Sequence, residues 1–180
     1  VSVRQSDIDF APLRRILVIG CPGAGKSTLA STLSAKLGLP AVHLDQIFWR
    51  QGWVLHDLAT VDARLAIACG EPAWIMDGNG MRTLAQRVPR AEAIIWLDLP
   101  RSVCIARVIW RTLRHFGRTR PDMTPGCPER FDLEFLGYIW SFRSKELPRI
   151  LAVLEADGAL SRLVRLTSSR EVSKFLATFA

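Results

Sequence analysis

Nine consecutive residues, Gly20-Cys21-Pro22-Gly23-Ala24-Gly25-Lys26-Ser27-Thr28, carry the spacing G-x-x-x-x-G-K-[ST] of a phosphate-binding P-loop. Each residue type has a task in such a loop. Gly20, Gly23 and Gly25 open backbone conformations closed to residues with a Cβ, so that successive N–H groups, that of Ala24 included, turn inward around a β-phosphate. The unpaired N–H groups of the helix that follows, beginning at Ser27 and Thr28, extend the cradle. Lys26 brings a compact positive charge to the β- and γ-phosphates, and the Ser27 hydroxyl stands where Mg²⁺ takes a ligand. The chemistry expected here is that of a nucleoside triphosphate.

Carboxylates are the next candidates. Asp77 follows the apolar run Ala73-Trp74-Ile75-Met76, and Asp98 follows Ala93-Ile94-Ile95-Trp96-Leu97. From the carboxyl end of a strand, either could organise a Mg²⁺ shell. Asp45 follows Ala41-Val42-His43-Leu44 in the same way; it could orient or deprotonate an acceptor hydroxyl, or cap the next segment. Trp49 and Trp53 lie just beyond it and could stack an acceptor ring or fill core. Arginine supplies most of the cations. At about 100° per residue, Arg107, Arg111, Arg114 and Arg118 fall within an arc of about 60° on one helix, beside an apolar stripe of Val103, Ala106, Ile109, Trp110 and Leu113. Arg143 lies further along, in line with a second amphipathic stretch.

Strands and helices must hold these residues in place. Ile16-Leu17-Val18-Ile19 reads as a buried parallel strand leading into the P-loop, and Ser27 to Lys36 as the helix after it. Gly38 and Pro40 separate that helix from a second strand, Ala41 to Leu44. Gln46 to Leu58 is aromatic and mixed, Thr60 to Cys69 helical, and Ala73 to Met76 a third strand, with Gly78-Asn79-Gly80 as the loop beyond Asp77. The fourth strand is Ala93 to Leu97. A helix is expected from Ser102 to Phe116 with Gly117 as its stop, then a polar, Pro- and Gly-rich loop to Pro128 that could move. Glu129 to Phe142 resumes helical character, Pro148 marks a kink or a new start, and Leu160 to Leu166 is the fifth strand. Ser168-Ser-Arg-Glu171 is a capping box opening a last helix to Phe179. Val1 to Arg15 reads as an irregular lead-in. Five β-to-α units with right-handed crossovers make a three-layer α/β/α sandwich on a five-stranded parallel sheet.

Composition bounds the possibilities. With 180 residues, 49% of them hydrophobic, one domain spanning 1–180 is expected. No apolar stretch approaches the ~20 residues of a membrane span, and no secretory signal precedes the first strand, so a soluble, cytoplasmic protein is expected. Cys21, Cys69, Cys104 and Cys127 are scattered without a C-x-x-C pair, which argues against structural zinc and a disulfide framework. The 24 Lys and Arg against 17 Asp and Glu leave a net charge of +7, which suits phosphate-rich ligands, whether nucleotides or nucleic acid.

Asp77-Gly78-Asn79-Gly80-Met81-Arg82-Thr83 resembles the Asp-Gly-x-Pro-Arg-Thr segment of adenylate kinases with one residue added, and Arg107-x-x-x-Arg111 resembles their paired arginines before the lid. A narrower set, His43-Leu-Asp-x-Ile-Phe-Trp49, Trp74-Ile-x-Asp-Gly-Asn79, Trp96-Leu-Asp-Leu-Pro-Arg101 and Cys127-Pro-Glu-Arg-Phe-Asp-Leu-Glu-Phe-Leu136, is similar to the adenylate-kinase-related family of DNA topology modulation (FlaR-like) proteins, from about Ile16 to the end of the chain. The resemblance implies a nucleoside-monophosphate-kinase-like fold and an ATP- and Mg²⁺-dependent phosphotransferase, with an acceptor region near Asp45 to Leu58 and a small lid at about 116–128. It favours Asp77 over Asp98 at the metal with Ser27, because in that family the third strand lies beside the P-loop strand and its terminal acid precedes glycine. It puts Lys26, Arg107, Arg111 and Arg143 around the transferred group, and Asp45, Trp53 and Arg82 at the acceptor. In shikimate-kinase-like relatives the position of Asp45 handles a hydroxyl. Adenylate kinases have arginine three residues after that aspartate, whereas this chain has Phe48. The acceptor is therefore expected to be a nucleotide or a small hydroxylated molecule. The family label also raises a nucleotide-regulated DNA-binding protein as the alternative; no helix-turn-helix or zinc-finger signature accompanies it.

Overall fold

The computed structural model describes residues 8–10 and 12–179, so the lead-in expected over Val1 to Arg15 lies outside the described residues at positions 1–7 and 11. The chain forms a five-stranded sheet in the order β2-β5-β1-β6-β7, in which β1 (Arg15–Gly20), β2 (Ala41–His43), β5 (Trp74–Asp77), β6 (Ala93–Leu97) and β7 (Leu163–Leu166) all run parallel. The helices flank this sheet in a three-layer α/β/α arrangement. β1 is central and its Ile16, Leu17, Val18 and Ile19 are fully buried, each side chain contributing about 1.5–3 kcal/mol of hydrophobic stabilisation. β5 and β6 flank it, with Val18 opposite Asp77 and Gly20 opposite Leu97. That register brings the ends of β1 and β5 together where the P-loop begins.

α1 (Lys26–Leu37) starts directly from the left-handed Gly25 and stops at the left-handed Gly38, whose N–H bonds Ser34 O, as the spacing of the two glycines predicts. α3 (Leu58–Gly70) is capped by Asp57, which accepts from Thr60 N at 2.8 Å. The expected box at the start of α8 (Ser169–Ala177) is half formed. Ser168 Oγ accepts from Glu171 N at 3.2 Å, but the Glu171 carboxylate reaches back to Thr167 N at 2.7 Å instead of to the cap residue.

Several elements differ from the sequence expectation. Leu44 does not end a strand but opens α2 (Leu44–Phe48), which carries Asp45 in its first turn, and a short antiparallel hairpin follows, β3 (Trp49–Arg50) with β4 (Val54–Leu55). The segment after Gly80 is a helix, α4 (Met81–Arg87). The expected helix from Glu129 begins only at Leu133 as α6 (Leu133–Lys145), because Asp132 caps it through Phe135 N. The fifth strand is shortened by a 3₁₀ turn over Ala159–Arg162. Pro148 sits in the first turn of α7 (Leu147–Ala156), where its missing N–H costs nothing, so it marks a new start. On α5 (Arg101–His115) the face turned inward is Cys104, Val108 and Thr112, while Ala106, Ile109, Trp110 and Leu113 of the expected apolar stripe are exposed.

Arg87 was invisible to periodicity. It is fully buried at the end of α4, and its guanidinium donates to the carbonyls of Gly78 (2.9 Å), Asn79 and Gly80 (3.2 Å), the last of which also accepts from Thr83 N and Thr83 Oγ1. Burial pushes its pKa down to about 10, so it stays protonated at neutral pH. Arg87→Met keeps the stem and removes the donors; a loss of about 3 kcal/mol is expected from the stranded carbonyls, and a melting curve within 2 °C of the parent protein would contradict this role.

Candidate functional site

The P-loop is held from three sides. The Lys26 ammonium donates to Gly20 O (2.9 Å) and Cys21 O (3.2 Å), closing the loop on itself. The Asn79 side chain makes two bonds to one residue, its Oδ1 accepting from Gly20 N (3.0 Å) and its Nδ2 donating to Gly20 O (2.9 Å). Arg107 donates from Nη1 to Ala24 O (3.1 Å) and from Nη2 to Ser169 Oγ (3.0 Å), tying the loop to α5 and α8. Gly20 shows why the motif needs glycine: its φ is +144°, and a Cβ there would lie 2.5 Å from Leu97 O on β6.

A cavity of about 1160 Å³ opens from this loop and runs to the β3–β4 hairpin. Gly23 to Thr28, Asp45, Trp53, Asp77, Arg107 and Arg111 all line it. Asp77 is 4% exposed at the end of β5. His43 Nδ1 lies 3.2 Å from its Oδ1, an arrangement that raises the His43 pKa chiefly through the bond to Asp77, while Asp77 Oδ2 is buried without a hydrogen-bond partner among the described residues. Lys26 has its pKa lowered by burial, opposed by the charges of Asp77 and Asp45. Asp45 is exposed at the cavity, yet the surrounding protein raises its pKa first by desolvation, with Lys26 acting against the shift and Asp77 adding to it.

Asp98 lies elsewhere. It is bound by Arg165 Nε (2.9 Å), has Arg143 at 3.7 Å, and lines a separate cavity of about 420 Å³. Arg143 goes with it: the face of α6 that carries Phe142 and Arg143 packs toward the β6–α5 connection, so this arginine is not brought to the P-loop cavity. Arg82 is also turned away. Met81 lines the cavity, whereas Arg82 points out from α4 and pairs with Asp62 of α3 at 2.8 Å.

The 116–128 segment is not the free polar loop its composition suggests. Met123 and Cys127 are buried, and the segment docks on the hairpin through Gly52 N to Gly126 O (2.9 Å), Thr124 Oγ1 to Trp49 O (2.8 Å), Cys127 Sγ to Arg50 O (3.1 Å) and Trp53 Nε1 to Pro128 O (2.9 Å). Trp53 achieves this in a left-handed backbone conformation (φ +62°), directly after Gly52 at +78°; for a bulky residue that costs of order 1 kcal/mol or more. Its ring meets Trp49 edge to face at 5.5 Å.

Comparison with solved structures agrees with this fold. Shikimate kinase from Acinetobacter baumannii, solved in complex with shikimate, superposes with a TM-score of 0.57 over 94% of this chain and 92% of its own, at 15% identity. The shikimate kinase of Bacteroides thetaiotaomicron gives 0.55 over 92% and 95%, at 16% identity. The fold is that of the P-loop kinases. In sequence, this P-loop kinase-fold chain is 29% identical over 129 residues to an adenylate kinase of Gloeobacter violaceus, covering 54% of this chain and 58% of the relative, and 50% identical over 36 residues to one from Kocuria rhizophila, covering 20% and 19%. It therefore spans under two thirds of the length of the curated relatives it matches, and no family model matches it.

Within the kinase fold, the residues that sequence reasoning passed over are Asn79, Arg120, Asp122 and Glu129. Asn79 had a signal, since it lies between two glycines just beyond the Asp77 strand end. Arg120 and Asp122 had none, and Glu129 had only its place in the Cys127–Leu136 motif; Glu129 meets Arg111, and Arg120 bridges Glu129 to Asp122, because the 116–128 segment folds back, with Gly117 N bonding Glu129 O and Glu129 N bonding Arg118 O at 3.0 Å each. Among the described residues no helix is long and apolar enough to cross a membrane.

Proposed function

We propose that the protein is an ATP-dependent kinase that transfers the γ-phosphoryl group to a hydroxyl of a small acceptor held between α2, the β3–β4 hairpin and a lid at 116–128, within one domain spanning the chain. The observation that carries this reading is the convergence on one cavity of a P-loop lysine, the buried Asp77, two α5 arginines and a further carboxylate, Asp45. A nucleotide's phosphates would replace the Gly20 and Cys21 carbonyls as partners of Lys26. Arg107 and Arg111 would stabilise the charge on the transferred group, and Arg143 and Arg82, turned outward here, are left without a part in it.

Mg²⁺ fits the donor set. Among the described residues Asp77 Oδ2 is a buried oxygen without a hydrogen-bond partner, and Ser27 lines the same cavity. Two protein oxygens plus phosphates and water satisfy an ion that seldom takes an all-protein cage. When bound, it would neutralise phosphate charge as the transfer proceeds. His43 holds the other Asp77 oxygen and so fixes which one faces the cavity.

At the acceptor end, Asp45 supports a hydroxyl as the attacking group. Desolvation makes it a stronger base than an ordinary aspartate, and the rings of Phe48, Trp49 and Trp53 offer an apolar wall. The kinship with the DNA topology modulation proteins rests on sequence motifs alone, and the DNA-binding alternative draws no support from the arginines, since Arg107 is bonded to the P-loop and Arg111 is paired with Glu129. The deciding experiment measures ADP release from ATP with nucleosides, nucleoside monophosphates and small polyols as acceptors. Stimulation by uncharged hydroxyl compounds is expected. Stimulation confined to monophosphates would refute the hydroxyl assignment, and release that needs no acceptor would refute the kinase reading.

A further inference from the structure

Glu129 is a carboxylate with 5% exposure, fixed through both its main chain and its side chain. Its N–H donates to Arg118 O and its carbonyl accepts from Gly117 N, which closes the base of the 116–128 segment. Its Oε1 lies 3.2 Å from Arg111 Nε and 2.5 Å from Arg120 Nε, and its Oε2 accepts from Thr112 Oγ1 at 3.2 Å. Arg111 and Thr112 belong to α5 and Arg120 to the lid, so one buried carboxylate joins the two elements.

The way the arginines are held is informative. Both ion pairs are made through Nε. Arg120 spends Nη1 on Asp122, but among the described residues the Arg111 guanidinium makes no hydrogen bond, and it lines the P-loop cavity. One helical turn earlier, Arg107 already touches Ala24 O, so the Arg111 head stands about 6 Å further along the same helix face. A guanidinium gripped at Nε keeps its two terminal amino groups as a fork, which matches the spacing of two phosphate oxygens.

We propose that Glu129 is a positioning residue, holding Arg111 by its Nε edge so that the free fork of Arg111 meets the γ-phosphate of a nucleotide seated in the P-loop. The proposal rests on the reading of the cavity as an ATP site. It also makes the placement of Arg111 depend on the docked lid, because Glu129 directly follows Pro128, whose carbonyl Trp53 holds.

The test compares binding of ADP with binding of the non-hydrolysable β,γ-imido analogue of ATP, both with Mg²⁺, by calorimetry on the intact chain. Glu129→Gln is expected to weaken the analogue about tenfold, the loss of one charge-assisted contact, while ADP stays within about twofold. Glu129→Asp, which keeps the charge, should restore part of the preference. A carboxylate that merely staples the fold would lower the melting temperature or weaken both nucleotides alike, so an unchanged ratio of the two affinities overturns the proposal. Should Glu129→Gln fail to fold, Thr112→Val removes only the hydroxyl donor to Oε2; a shift of the same ratio by about two- to threefold supports the proposal and an unchanged ratio overturns it. Absence of binding of either nucleotide to the parent protein would overturn the ATP-site reading itself, an outcome distinct from binding with an unaltered ratio.

Discussion

Lys26→Ala is expected to lower phosphoryl transfer by about 10²–10³-fold, on the scale of removing one preorganised charge from a transition state. Lys26 is half-buried near Asp77 and Asp45, and both hold it charged against a desolvation that pulls its pKa down. Its two bonds to Gly20 and Cys21 carbonyls are replaceable by water, each being worth about 1 kcal/mol net, so the variant should fold and melt within a few degrees of the parent. Circular dichroism and turnover measured on the same sample separate the two effects. Transfer retained at more than a tenth of the parental rate in a folded variant would remove Lys26 from the catalytic group.

Asp45→Asn should act in opposite directions on activity and stability. The carboxyl's raised pKa means that the folded protein binds its proton more tightly than the unfolded chain does. The sign follows: the stability this group contributes is present below the unfolded value and lost as pH rises through the folded one, so ionised Asp45 is a net cost at neutral pH. Asparagine cannot ionise. Because Asp45 is exposed and solvent screens most of that cost, the variant is expected to melt only about 1–2 °C above the parent at pH 7 and to lose the difference under acid conditions. As general base the carboxylate must be ionised, so the parent's activity should fall as pH drops through the raised pKa. The variant should be slower by about 10²-fold and lack that acidic limb. A pH–rate profile with the same acidic limb in both proteins would show that another group is the base.

Much of the site was legible because its parts are contiguous. The P-loop is nine adjacent residues between an apolar strand and a helix, and Ile16 to Ile19, Trp74 to Met76 and Ala93 to Leu97 announce a parallel sheet by being apolar on both faces. Asp77 and Asp98 looked alike in sequence, each ending such a run. Pairing of β5 with β1, Val18 opposite Asp77, puts the first in the cavity, while Arg165 and Arg143 hold the second outside it. The stripe on α5 misled for a related reason: Ile109, Trp110 and Leu113 repeat at helical spacing, yet the sheet and P-loop take up Cys104 and Val108, and periodicity does not say which face a helix turns inward.

By itself, then, the amino-acid sequence determined the phosphate-binding loop and the parallel three-layer sandwich, because backbone conformation and strand or helix period are local properties, and it offered Lys26, Ser27, Asp45, Arg107, Arg111 and both strand-end aspartates, Asp77 and Asp98, as candidates. Only the tertiary structure decided that Arg82 and Arg143 point away from the cavity, that Asn79 and Arg87 brace the loop beneath the P-loop, and that the polar 116–128 segment docks on the hairpin with Glu129 between Arg111 and Arg120. These are contacts between residues far apart in the chain, where direction is set by packing and by the need of buried charges and carbonyls for partners, neither of which a spacing records.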